Sequence, residues 1–130
     1  MKKVLIAFAA LSVLAATPAF AEGDAEKGKK VFKKCKACHM VGENAKKKVG
    51  PPLNNIFGKT AATQEGFKYS KALIAKGEEG LVWNEETLAE WLKKPKAMVP
   101  GTKMTFAGLK KKKKKIANVI AYMKTFSPSE

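Results

Sequence analysis

The chain of 130 residues has no arginine, a single histidine and only two cysteines. Each shortage removes a class of function. Without arginine, the planar fork that grips phosphate and guanine in two places is missing, which argues against nucleic acid as a partner despite the basic composition. One histidine leaves none for a distal acid–base pair. It also leaves a four-ligand zinc site short of a ligand. A second long apolar run is missing too: the only one lies at the N-terminus. Alternating strand patterns are absent, so no sheet is expected.

That apolar run has the form of an export signal. Lys2 and Lys3 form a charged start, an apolar stretch runs from Val4 to about Ala16, and Ala19-Phe20-Ala21 is a small-residue cleavage site. The stretch is short for a span of about 20 residues, and Thr17-Pro18 interrupts it. Residues 1–21 are therefore expected to be a cleaved secretory signal, and residues 22–130 one small exported domain. Two of the 26 lysines lie in the signal, leaving 24 against 11 acids. A surface this basic points to acidic partners.

Elements follow from caps and spacing. Asp24 is placed to cap a helix running to about Lys36, with Gly28, Val31, Phe32 and Cys35 at helical intervals. Gly28 is out of place there, because glycine costs about 1 kcal/mol relative to alanine inside a helix. The segment from Val41 to Lys68 reads as loops, rich in glycine, proline and asparagine. Ser70 is placed to cap a short helix through Ala75, closed by Gly77. Asn84 caps another, with Leu88, Trp91 and Leu92 on one face and its end before Pro95. A loop through Gly108 follows. A last helix runs from about Lys111 to Thr125, with Ile116, Val119, Ile120 and Met123 inward.

The whole thiol and imidazole inventory sits in one pentapeptide, Cys35-Lys36-Ala37-Cys38-His39. Two thiols three positions apart and an adjoining histidine are the attachment signature of c-type haem: the thiols add across two vinyl groups, and the histidine ligates the iron. A thioredoxin-like dithiol needs a βαβ setting that this chain lacks. A plain disulfide suits an exported protein but gives His39 no reason to adjoin it.

The sixth iron ligand cannot be histidine. A methionine thioether is the soft neutral choice, and it raises the reduction potential. Met1 leaves with the signal, Met40 adjoins His39, and Met123 falls on the apolar face of the last helix. Met98 and Met104 remain. Met104 follows the turn Pro100-Gly101 and has Phe106 nearby to exclude water; spacing favours it only modestly and leaves Met98 open as the rival. The segment Gly50-Pro51-Pro52-Leu53 offers carbonyls to hold the second ring nitrogen of His39.

From Gly23 to about Lys124 the chain resembles the class I c-type cytochromes, above all mitochondrial cytochrome c and its α-proteobacterial soluble relatives. The resemblance rests on Gly28-x-x-x-Phe32, Cys35 to His39, Gly50-Pro51, Gly66-Phe67-Lys68-Tyr69-Ser70, Trp83, Glu86-Thr87-Leu88 and the run from Pro100 to Gly108. It implies an all-α small cytochrome c fold: three main helices plus short helices and long loops, wrapped around one covalent haem c. It implies that His39 and Met104 are the axial ligands and that the Pro51 carbonyl accepts from the His39 ring. Tyr69 and Trp83 are similar to the residues that donate to a haem propionate, and Phe106 to the aromatic lid at the haem edge. Gly28 and Phe32 match the crossing of the first helix with the last, against Val119 and Tyr122. The chain departs from the pattern at Lys59, where the family's usual arginine is absent, and at Trp91, where a tyrosine is usual. The run Lys110 to Lys115 is also longer than the family pattern.

The function implied is a soluble, monomeric one-electron carrier and not an enzyme. A membrane cytochrome bc complex is the implied donor, and a cytochrome oxidase or photosynthetic reaction centre the implied acceptor. Lys33, Lys34, Lys36, Lys103 and part of the lysine run are candidates for a docking ring around the haem edge. The competing class, a haem peroxidase or ligand-binding haem sensor, needs an open sixth position and usually distal acid–base groups.

Overall fold

The computed structural model describes residues 22–128 together with positions 10 and 12, so the expected signal segment lies almost wholly outside the described residues. Five helices follow in order: α1 (Ala25–Phe32), α2 (Lys71–Glu78), α3 (Glu85–Lys93), α4 (Pro95–Met98) and α5 (Lys113–Lys124). Among the described residues there is no strand, only an isolated bridge between Thr60 and Val82. This is the all-α arrangement expected, with α1, α3 and α5 as the main helices.

The three expected caps form. The side chain of Asp24 accepts from the Lys27 N–H at 3.0 Å. Ser70 accepts from the Leu73 N–H at 3.1 Å. Asn84 accepts from the Thr87 N–H at 2.9 Å, and the Thr87 hydroxyl accepts in return from the Asn84 N–H at 2.9 Å. Each bond satisfies an amide that the helix itself leaves without a partner.

Several boundaries differ from expectation. α1 stops at Phe32 and not near Lys36. The chain tightens there into turns, with the Cys35 N–H donating to the Phe32 carbonyl at 2.8 Å and the His39 N–H to the Cys35 carbonyl at 2.8 Å. α2 passes through Gly77 to Glu78. Gly77 does not end the helix; it admits the Ala61 carbonyl, which would lie 2.2 Å from a side-chain carbon. The left-handed residue after the helix is Gly80, at φ 103°. The stretch after Pro95 is not wholly loop, because Pro95 opens α4 as its first residue, where its missing N–H costs nothing. α5 begins at Lys113, so Lys110 to Lys112 precede it, Lys110 in a left-handed turn at φ 53°.

α1 and α5 cross at the centre of the fold. Phe32 is fully buried, as are Val119 and Ile120. The Phe32 and Tyr122 rings meet at 5.3 Å between centroids. Gly28 explains the crossing: a side-chain carbon there would lie 1.9 Å from the Asn118 carbonyl oxygen and 2.8 Å from Cβ of Tyr122. The helix propensity that glycine costs is exchanged for backbone-to-backbone approach. Val119 and Met123 of α5 line the same cavity as the loop residues from Lys47 to Ser70.

Candidate functional site

One cavity of about 570 Å³ lies between these loops and the helices. All eight residues singled out as site residues line it: Cys35, Cys38, His39, Pro51, Tyr69, Trp83, Met104 and Phe106. Among the described residues, no aspartate or glutamate does.

His39 is the most constrained of them. Its Nδ1 lies 2.7 Å from the Pro51 carbonyl oxygen. A carbonyl only accepts, so Nδ1 carries the proton and Nε2 keeps its lone pair. Burial pushes the imidazole below its ordinary value of 6.5, with the Pro51 bond opposing, so the ring is neutral near pH 7. Gly50 lies flat against it: a side-chain carbon at Gly50 would fall 2.4 Å from Cε1, 2.7 Å from Nδ1 and 2.9 Å from Nε2. Neither ring nor backbone can give way, so Gly50→Ala is expected to break the His39–Pro51 contact or displace the loop. The loss should be about 2 kcal/mol in denaturant unfolding. Val49→Ala, at a neighbouring side chain 78% exposed, should change it by less than about 0.5 kcal/mol.

Cys35 and Cys38 are not joined in a disulfide. Burial, reinforced by Cys38, pushes the Cys35 thiol up to about 11 against the opposing pull of Lys34.

Met104 is positioned by a tight turn. The Thr102 N–H donates to the Val99 carbonyl at 3.1 Å, with Pro100 and Gly101 between them and Gly101 at φ 91°. Proline followed by a left-handed glycine is the composition that such a reversal requires. The Thr102 hydroxyl then accepts from the Met104 N–H at 3.2 Å. Of the two methionines that spacing leaves open, Met104 lines the cavity and Met98 does not.

The aromatic wall is braced from behind. Trp83 and Trp91 meet edge to face at 5.4 Å, and Trp91 is buried. The Trp83 N–H donates to the Lys59 carbonyl at 2.9 Å, and its carbonyl accepts from Gly58 at 2.7 Å. Burial pushes the Tyr69 hydroxyl above 10, against a backbone hydrogen bond with Gln64, so it remains protonated. Both side chains present an apolar body with a polar tip.

The lysines are only partly where the sequence places them. Lys34, Lys59 and Lys103 line the cavity, whereas Lys33, Lys36 and the run Lys110 to Lys115 do not. Lys47, Lys48 and Lys68 do line it and were not singled out. Their signal was proximity to Gly50-Pro51 and to Tyr69, which charge counting does not register.

The donor set fits a covalently held haem. Two thiols, a neutral imidazole with one nitrogen unengaged, a thioether and an apolar wall share one cavity. The glycine against His39 keeps the ring in place.

Comparison with known proteins agrees. The family model for cytochrome c matches residues 25–127. Cytochrome c2 of Afifella marina is 57% identical over 99 residues, covering 76% of this chain and 79% of that protein. Cytochrome c2 of Rhodomicrobium vannielii is 46% identical over 125 residues, covering 96% and 97%. The structure of cytochrome c2 from Rhodospirillum centenum superposes with a TM-score of 0.77 at 40% identity, covering 82% of this chain and all of that one.

Proposed function

The chain belongs to the cytochrome c family, and from that premise we propose that it carries single electrons through a haem held by Cys35, Cys38, His39 and Met104. The observation that carries this reading is the meeting of a neutral, carbonyl-held imidazole and a thioether in the wall that bears both thiols.

The bound haem supplies an iron that interconverts between two oxidation states, its potential raised by a thioether ligand. The protein supplies the rest. Cys35 and Cys38 would hold it through thioether bonds. The Pro51 carbonyl and Gly50 fix the direction of the His39 lone pair. Tyr69 and Trp83 line the cavity and would donate hydrogen bonds to a propionate, with Lys59 as a nearby cation. Phe106 and the buried Trp91 keep water out. No substrate is transformed.

The domain 22–130 is exported, begins at Glu22 and acts in the periplasm as a monomer. No helix among the described residues is long and apolar enough to cross a membrane. It takes electrons from a cytochrome bc complex and passes them to a cytochrome oxidase or photosynthetic reaction centre. Lys34, Lys47, Lys48, Lys68 and Lys103 border the cavity and steer it onto acidic surfaces.

The test is stopped-flow reduction by purified bc complex at increasing salt. The rate should fall steeply as the ionic strength rises and screening shortens the reach of these charges. At low salt Lys103→Glu should slow association by about tenfold, and Lys29→Glu, off the cavity rim, by far less. A rate indifferent to salt refutes the steering.

A further inference from the structure

The wall that holds His39 is built with few backbone donors. Pro51 and Pro52 have no N–H, so the segment opposite the haem-attachment turn cannot pair with it as a strand would. The two segments are nevertheless joined by rungs at a nearly constant offset. The Gly50 N–H donates to the Cys38 carbonyl at 2.8 Å, and the Leu53 N–H to the Met40 carbonyl at 2.9 Å. His39 meets the Pro51 carbonyl between them. Side chains supply the outer rungs. The Asn54 amide donates to the Gly42 carbonyl at 2.8 Å and accepts from the Gly42 N–H at 2.9 Å. At the other end, the Lys48 ammonium donates to the Lys36 carbonyl at 2.7 Å, inside the turn that carries both cysteines.

We infer that Lys48 is a positioning residue for His39 in addition to being a rim charge. This rests on the reading of His39 as an iron ligand. Gly50 and the Pro51 carbonyl set the direction of the ring, and the buried Gly50 amide is their only backbone tie to the attachment turn on the N-terminal side of Pro51. Lys48 is the second tie, two residues before Gly50. Its own N–H donates to the Gly50 carbonyl at 2.9 Å, so a pull on Lys48 is transmitted directly to Gly50. Lys47 reaches the other way, donating to the Gly66 carbonyl at 3.1 Å. The pair of lysines thus anchors the loop on both sides, while the next residue, Val49, stays exposed. Lys46 makes no such bond among the described residues, although it carries the same charge two positions away.

The role separates from charge by experiment on the haem-loaded protein. Lys48→Met should speed hydrogen exchange at the Gly50 amide by about tenfold, the scale of one net charge-assisted hydrogen bond lost locally. It should also shift the reduction potential and the His39 ring resonances. The midpoint of global unfolding should barely move, because the freed Lys36 carbonyl turns to water. Lys48→Arg should restore Gly50 protection to within about threefold, since guanidinium can donate to the same carbonyl. Lys46→Met removes an equal charge and should leave Gly50 exchange and the ring resonances unchanged. If Lys48→Met leaves Gly50 protected, or if Lys46→Met reproduces every shift, the positioning role is overturned. Failure of the ligand reading has a different signature: an unmutated protein whose spectrum lacks histidine ligation, which overturns this role whatever Gly50 does.

Discussion

Met104→Ala is expected to abolish the weak red methionine–iron band of the oxidised protein, lower the reduction potential and open the iron to added imidazole or cyanide. A thioether raises the potential because it is a soft neutral donor that favours the reduced iron. Alanine offers no donor, and there is no other histidine to replace it. Nearby lysines are poor substitutes at neutral pH, because an ammonium must lose its proton before it can ligate. Met98→Ala is the matched control. It removes the same side chain from a partly buried position outside the cavity, and should keep the band. Reversal of the two spectra would transfer the ligand to Met98. The experiment also separates a carrier from a peroxidase or ligand sensor: only the variant, and not the unmutated protein, should bind small ligands readily.

The attachment pentapeptide was legible because its chemistry is local. So were the caps at Asp24, Ser70 and Asn84, each of which needs only a side chain and an amide three residues on. The boundaries were less legible because they depend on distant groups. Gly77 looks like a helix end by composition, yet the Ala61 carbonyl is what requires it to be glycine. Pro95 looks like a stop, yet it both follows α3 and begins α4. The lysine run shows the same limit. Only the left-handed turn at Lys110 and the start of α5 at Lys113 show that half the run lies outside the helix.

Within the site, residue types were readable and their neighbours were not. Spacing favours Met104 over Met98 only modestly. The reversal through Pro100 and Gly101 decides which one reaches the cavity wall. Gly50 appeared only as part of a stiff turn, because its contact with the His39 ring joins groups 11 residues apart. Lys48 was one lysine among many until its ammonium was seen on the Lys36 carbonyl. In a chain this rich in lysine, composition hides the few that have a fixed partner.

Gly28→Ala should be strongly destabilising although it adds a single carbon. Two effects oppose each other. Alanine favours the helix by about 1 kcal/mol, partly by restricting the unfolded chain. Against this, the new carbon would stand 1.9 Å from the Asn118 carbonyl oxygen, a backbone atom held within α5. A flexible side chain could swing aside, but here the helices must separate. Separation loosens Phe32, Val119 and Ile120, all nearly inaccessible to solvent, and disturbs the Phe32–Tyr122 contact. Forced overpacking costs about 1–3 kcal/mol, and loosening three large side chains adds more. A net loss of about 3 kcal/mol is therefore expected, roughly 12–20 °C in thermal midpoint for a domain of this size. Lys29→Ala, on an exposed position of the same helix, should stay within about 0.5 kcal/mol of the unmutated protein. Calorimetry of the haem-loaded proteins measures both. If Gly28→Ala proved neutral or stabilising, α1 and α5 would have room between their backbones, and close approach would no longer explain a glycine in the middle of α1.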